Sequence, residues 1–332
     1  MLAYGDEPWL EKCVRAVLRS RNVDVEVVLV DNGCSTDAVS RLRSVSRIVH
    51  TGDGVNLGFA AGCNLGASVA SGDYLALVNG DLLVDQDALA RLVEALNDRS
   101  IGIAAGSVRL ADDPDLLNTA GNEIHFLGFS WTGGFGERAA EVARARDVAG
   151  AMGALLLLRR DTWNLLRGFE ERYFAFHEDA DLSWRCWQQG LRVHYLPDAM
   201  GIHRYEFSRI PMKFYLAERN RLIFVLTNWE ARTILLLAPV FLVMEVAVAV
   251  AALSGGWLQQ KVAGWRWLLR HRSWLRERRT RVLRERARSD RDLAYLLATR
   301  LQAGNYPLSP ALRPLDFLLS CYWSIVRRVL AP

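Results

Sequence analysis

The chain has 332 residues, 51% of them hydrophobic and 23% charged, with a formal net charge of +4. That length suffices for one large domain or two smaller ones, and the composition is globular but apolar enough to point to a membrane contact. Five scattered cysteines (Cys13, Cys34, Cys63, Cys186, Cys321) lack any CxxC or His spacing, which argues against zinc or a disulfide framework and for reduced thiols in a cytosolic setting; no signal peptide is visible.

Residues 8–20 place Trp9, Leu10, Cys13, Val14, Val17 and Leu18 on one face, predicting an amphipathic helix with proline near its start. Residues 25–30 (VEVVLV) form a nearly continuous β-branched run, expected of a strand buried on both faces in a parallel sheet. Asp31, Asn32 and Gly33 follow directly. Ligands of open α/β sheets bind beyond the carboxyl ends of strands, so this triplet is placed for a ligand; a turn with a helix cap through Ser35 and Asp37 also accounts for it.

Residues 56–66 (NLGFAAGCNLG) lead into a short apolar helix. Their glycines allow close backbone approach and their asparagines can hydrogen-bond a base or ribose, but the spacing is neither a Rossmann GxGxxG nor a P-loop. Residues 73–78 (DYLALV) read as a second core strand ending in Asn79, Gly80 and Asp81. Asp81 is a candidate metal ligand, since a diphosphate-bound magnesium or manganese ion takes only one or two protein carboxylates. Asp85 is expected to cap a helix over 86–96, and residues 101–110 form a further strand. Residues 111–146 have weak periodicity and suit a long surface excursion able to touch an acceptor. Residues 149–158 read as a buried strand, and Asp161 as the cap of a short helix.

Residues 168–204 concentrate the chemistry. Glu178, Asp179 and Asp181 follow the aromatic residues Tyr173, Phe174 and Phe176 and open a helix carrying Leu182, Trp184, Trp187 and Leu191. A helix cap accounts for one such acid. Three in four residues against an aromatic wall need a cation or a proton as compensation, which points to metal binding or proton transfer. Gly190 ends the helix, residues 193–196 read as a short strand, and a turn at Pro197 and Asp198 delivers His203, a candidate further ligand.

Beyond residue 205 the character changes. A helix over 211–228 precedes the apolar run 233–253, which is long enough to cross a bilayer but interrupted by Pro239 and Glu245, so a span and an in-plane helix compete. Residues 261–291 hold twelve Lys and Arg against three acids. With Trp265, Trp267 and Trp274 and the amphipathic stretch 315–330, they read as anchors at an anionic membrane surface; no nucleic-acid module is legible.

With these residues in view, residues 1 to about 230 resemble an inverting family 2 glycosyltransferase of the GT-A fold, similar to bacterial rhamnosyltransferases. The resemblance rests on VLVDNGCSTD, NLGFAAGCNLG, LALVNGD and GFEERYFAFHEDADLSWRCWQQG with the later PDAMGIH. It implies an α/β mixed sheet flanked by helices over 1–205 and a helical membrane-associated region over 206–332. It also implies transfer of a sugar from a dTDP-rhamnose or UDP-sugar type donor to a glycan or lipid-linked acceptor, on the cytoplasmic face of the membrane. Asp31 and Asn32 would contact the nucleotide, Asn56, Gly58 and Asn64 would line base and ribose, and Asn79 and Asp81 fall on the DxD element, with Asn replacing its first acid. Asp81 and His203 would hold magnesium or manganese, and Asp179 would be the catalytic base. Two departures stand out: the family's first strand is almost entirely missing, and QxxRW, the mark of processive synthases, is absent. The first, with Asn79, leaves a catalytically silent scaffold that binds nucleotide or membrane partners as the alternative.

Overall fold

In the computed structural model, which describes residues 1–205, 211–301 and 313–330, the β-branched run becomes the middle strand of a parallel three-stranded sheet. β1 (Leu2–Gly5) leads to α1 (Leu10–Leu18) and pairs with β2 (Val27–Cys34); after α2 (Ala38–Arg41), β3 (Ile48–Thr51) pairs with the other edge of β2. β2 continues through Asp31, Asn32 and Gly33, which therefore lie within its carboxyl end and not after it. The expectation of a nearly missing first strand is thus corrected: β1 is present and paired. A cavity of about 440 Å³, walled by Val25, Val28, Leu75, Leu77, Ala67 and Trp163, separates β2 from the strand that follows α3 (Gly58–Val69), and the two sheets stay distinct.

That strand, β4 (Tyr74–Val78), belongs to a seven-stranded mixed sheet. β5 (Leu82–Val84), α4 (Ala88–Ala95) and β6 (Ile101–Leu110) follow, then the short β7 (Leu117–Thr119), β8 (Asn122–Ile124), β9 (Ser130–Thr132) and β10 (Arg146–Asp147). β11 (Leu155–Arg159), α5 (Arg160–Leu166), α6 (Glu178–Gln188) and β12 (Arg192–His203) complete it. The order is β10-β12-β6-β11-β4, with β5 on β12 and β7 on β6; β8 and β9 form a separate hairpin. β6 lies at the centre, parallel to β12 and antiparallel to β11, and its first eight residues are buried, as a strand covered on both faces must be.

Several expectations are corrected. Residues 111–146 are no surface excursion: Leu117, Asn118, Thr119, Ile124, Phe126 and Leu127 are fully buried. Their apolar residues cluster around tertiary partners and so follow no single period. Residues 149–154 form a loop, and only the second half of the expected strand is extended. Pro197 and Asp198 do not turn the chain; β12 runs on for 12 residues and absorbs them in a register shift between Leu196 and Met200. The helix expected over 86–96 starts at Ala88, and Asp85 accepts from the Asp87 amide ahead of it. Asp161 lies inside α5, where Arg159 is the capping position.

Every strand among the described residues precedes residue 204. The remainder is helical: α7 (Pro211–Asn228), α8 (Ala231–Ser254), α9 (Leu258–Arg270), α10 (Arg272–Glu285), α11 (Asp290–Leu293) and α12 (Arg313–Leu330). α8 alone among them has the length and apolarity of a membrane span. Its interrupting acid is not orphaned. Glu245 pairs with Arg221 of α7 and with Lys261 of α9 (3.0 Å), which also hold Glu218, and it accepts from Trp265 Nε1 at 3.0 Å. Trp267 and Trp274 face guanidinium groups of Arg219 and Arg172, so the three tryptophans pack within the protein rather than standing free as lipid anchors.

One buried carboxylate gathers the helices and the sheet region around it. Asp181, fully buried in the first turn of α6, accepts from Tyr173 Oη (3.0 Å), Asn228 Nδ2 (3.0 Å), Arg185 Nε (2.8 Å) and Arg278 of α10 (2.5 Å). Against the cost of burial, Arg278 and Arg185 hold this carboxyl well below the usual carboxylate range. Its contribution to stability is therefore present above the unfolded pKa of about 3.9 and lost as pH falls below it. Arg278→Met should cost about 3 kcal/mol in urea unfolding at neutral pH and flatten the acid limb of stability against pH; an unchanged unfolding midpoint would show that the pair contributes nothing.

Candidate active site

Strand pairing brings the first two candidate residues together. β5 pairs with β12 so that His203 lies opposite Leu82, and Asp81, one residue earlier, presents its Oδ1 at 3.1 Å from His203 Nε2. The other ring nitrogen, Nδ1, lies 2.8 Å from Asn118 Oδ1, so in this placement Nδ1 carries the hydrogen. The Nε2 lone pair then faces a carboxylate. Two acceptors at that distance repel unless a proton or a cation sits with them, and a divalent cation fits the donor set. No group of three or more His, Cys, Asp or Glu is gathered among the described residues, so the protein offers such an ion this pair and little more. That suits a cation whose other ligands come from a diphosphate.

Asp179 occupies the second position of α6. Its Oδ2 accepts from Asn122 Nδ2 (3.0 Å) and the Gly153 amide (3.2 Å), while Oδ1 accepts from the Ala180 amide (2.7 Å). Burial pushes its pKa up, and these hydrogen bonds offset part of the rise. Glu178 beside it is buried, leaves Oε2 without a partner, and is pushed well above the carboxylate range by burial and by Asp179. Burial and the neighbouring Asp179 thus disfavour a second charge at this position.

The backbone entering α6 is strained. Phe174, Phe176 and His177 all have positive φ (64°, 67° and 72°), a conformation costly for residues with a Cβ. α7 holds it: the Asn220 amide donates to the carbonyls of Tyr173, Ala175 and Phe176 at 2.9, 2.8 and 2.7 Å, and Arg219 to those of Arg172 and Tyr173. Gly58, at φ +83°, lies under the Phe174 ring, where an added Cβ would come within 2.5 Å. Only glycine fits there.

The remaining candidates divide. Asp31 accepts the amides of Gly33 and Cys34 on Oδ1, with its Oδ2 beside Gly54. Asn56 Oδ1 accepts the Gly58 amide, and Asn56 is itself exposed. Asn32 is buried and its amide is committed to Leu57, Gly58 and Asn56. Asn64 is likewise committed, to both backbone groups of Phe169 and to Glu171. These bonds let the two asparagines brace the loops that carry them.

Two backbone segments tie the acid centres together. Asn118 and Asn122 are four residues apart, one on His203 and the other on Asp179, which limits the separation of their Cα atoms to about 14 Å. Gly153 and Ala154 are adjacent, one bonded to Asp179 and the other, through its carbonyl, to the Asn79 amide at 3.1 Å. Asp81 and Asp179 therefore sit at one edge of the sheet region. Asn118, Asn122, Gly153, Arg219 and Asn220 were not singled out from the sequence; LLNTAGNEI carries no sign of its role until β7 and β8 are paired.

Residues 1–165 match the family model described as glycosyl transferase family 2. Among curated relatives, the chain is 28% identical over 231 residues to an N-acetylglucosaminyl-diphospho-decaprenol L-rhamnosyltransferase of Mycobacterium tuberculosis (strain CDC 1551 / Oshkosh), covering 61% of this chain and 74% of the relative. It is 23% identical over 208 residues to a poly-beta-1,6-N-acetyl-D-glucosamine synthase of Staphylococcus aureus (strain COL), covering 60% of this chain and 48% of the synthase, so it spans about half that protein's length. Among solved structures, GalNAc-T7 with UDP, GalNAc and Mn2+ superposes with a TM-score of 0.55 at 14% identity, covering 69% of this chain and 48% of that one. The mannosyltransferase PcManGT from Pyrobaculum calidifontis, in complex with GDP-Man and Mn2+, gives 0.51 at 17% identity over 86% and 84% of the two chains. The family-model match spans β1 to α5, and residues 1–165 belong to the family 2 glycosyltransferases, with a GT-A fold.

Proposed function

We propose that the chain transfers a sugar, with inversion, from a nucleoside-diphosphate donor of the dTDP-rhamnose or UDP-sugar type to a glycan or lipid-linked acceptor at the cytoplasmic face of a membrane. The observation that carries this reading is the single frame holding Asp81 with His203 at one end and Asp179 at the other. Asp81 and His203 would hold magnesium or manganese, and when bound that ion supplies positive charge to the departing diphosphate. The Mn2+ present with both solved neighbours supports the assignment. Asp31, Asn56 and Asn79 remain the side chains proposed to face the nucleotide.

Asp179 is the base. The acceptor oxygen bonds to the anomeric carbon, the bond from that carbon to the diphosphate oxygen breaks, and the acceptor's proton passes to an Asp179 oxygen. The raised pKa of Asp179 strengthens it as a base. In the same reading residues 1–205 form the transferase domain and 206–332 the membrane-associating one. The decaprenol in the mycobacterial relative's name supports a lipid-linked acceptor.

Calorimetry with UDP or dTDP should give manganese-dependent binding that Asp81→Asn and His203→Ala weaken and Asp179→Asn leaves intact. Turnover in Asp179→Asn should fall about 10²–10⁴-fold; undiminished transfer would refute the base. Because protonation inactivates a base, activity should decline with falling pH through an apparent pKa above the ordinary Asp value of about 3.9. Asn122→Ala removes a bond to the ionised form and should move that limb to higher pH; an unmoved limb would show that Asn122 does not act through Asp179.

A further inference from the structure

The outer face of α8 is a continuous apolar stripe. Leu235, Leu242, Val246, Val250 and Leu253 are each more than 60% exposed, at spacings that keep them on one side of the helix. α12 extends the surface with Phe317, Leu318 and Ile325, and an apolar groove of about 340 Å³ runs between the two helices, walled by Val240, Met244 and Tyr322. A patch of this kind marks a binding surface.

The opposite face of α8 is moored along its whole length. At the start, the Glu230 amide donates to Asp290 at 2.6 Å and Thr233 is buried. In the middle, Glu245 joins Arg221 and Lys261, both buried. At the far end, Ala252 is buried and its carbonyl accepts from the Trp257 amide at the entry to α9. A helix that crosses a bilayer delivers its ends to opposite sides, about 30 Å apart. Here the start rests on α11 and the middle on α7 and α9, and releasing the helix would strip Arg221 and Lys261 of a counter-charge.

We propose that α8 and α12 form an in-plane docking face for one leaflet of a lipid bilayer, with α8 lying along the membrane and not through it. Charge complementarity selects lipid as the occupant. Arg232 at the start of α8 and Arg327 and Arg328 near the end of α12 are exposed, and Arg232 Nη2 bonds the Val329 carbonyl at 2.8 Å, so these arginines rim the apolar face at one end. Anionic headgroups meet such a rim; hydrocarbon meets the stripe. This deepens the membrane part of the proposed function, and its test needs no nucleotide sugar, so its failure would leave the transferase reading standing.

The full-length protein should float with vesicles of phosphatidylcholine and phosphatidylglycerol and bind pure phosphatidylcholine more weakly. Leu242→Glu with Val246→Glu should reduce binding about tenfold or more while leaving UDP or dTDP binding unchanged. In membranes of expressing cells, Cys34 and a Ser254→Cys variant should react with an impermeant maleimide from the same side. Labelling of Ser254→Cys only from the side opposite Cys34 would mean that the helix spans, and would overturn the proposal. Absence of vesicle binding would overturn it too, as would a lipid-free dimer that the double variant dissociates, since the face would then serve a second copy.

Discussion

The structure turns on the burial of Asp181. A carboxylate removed from water is tolerable only with cations and donors around it, and this one gathers them from four places: Tyr173 before α6, Arg185 within it, Asn228 at the end of α7 and Arg278 in α10. Satisfying that single charge fixes the first turn of α6, two residues from Asp179. It also requires the C-terminal helices to pack on the sheet region, because half of the partners come from them. Catalytic geometry and the attachment of the helical region thus share one constraint.

The same logic recurs at the strained entry to α6. Positive φ at Phe174, Phe176 and His177 persists because Asn220 and Arg219 give the exposed carbonyls partners that relaxed backbone would forfeit. α7 therefore supports the active site from beneath while its Arg221 pairs with α8 on the other side. The proposed lipid-docking surface and the proposed base are joined through one helix, an arrangement suited to an acceptor presented at a membrane.

Much of this was legible in the sequence, for identifiable reasons. A β-branched run marks β2, an apolar run marks β4, and the acids at 178–181 read as the start of a helix, because these signals are local. Asn118 and Asn122 were not legible, because an asparagine acquires its role from a partner more than fifty residues away. The bracing bonds of Asn32 and Asn64 were not legible for the same reason: only the fold decides which amides face inward. Pro197 reads as a turn because proline leaves the sheet ladder, whereas a bulge in β12 accommodates it. Glu245 looked costly in an apolar helix until Arg221 and Lys261 were placed against it.

The central claim is that Asp81 and His203 grip the donor diphosphate while Asp179, held by Asn122, faces the sugar. A crystal structure with UDP or dTDP and manganese, using anomalous scattering at the manganese edge, tests it most directly. The account predicts one strong peak bonded to an Asp81 oxygen, His203 Nε2 and the diphosphate, with Asp179 on the open side of the same cleft. A peak that avoids Asp81 and His203, or a nucleotide bound away from the edge that carries Asp179, would contradict it.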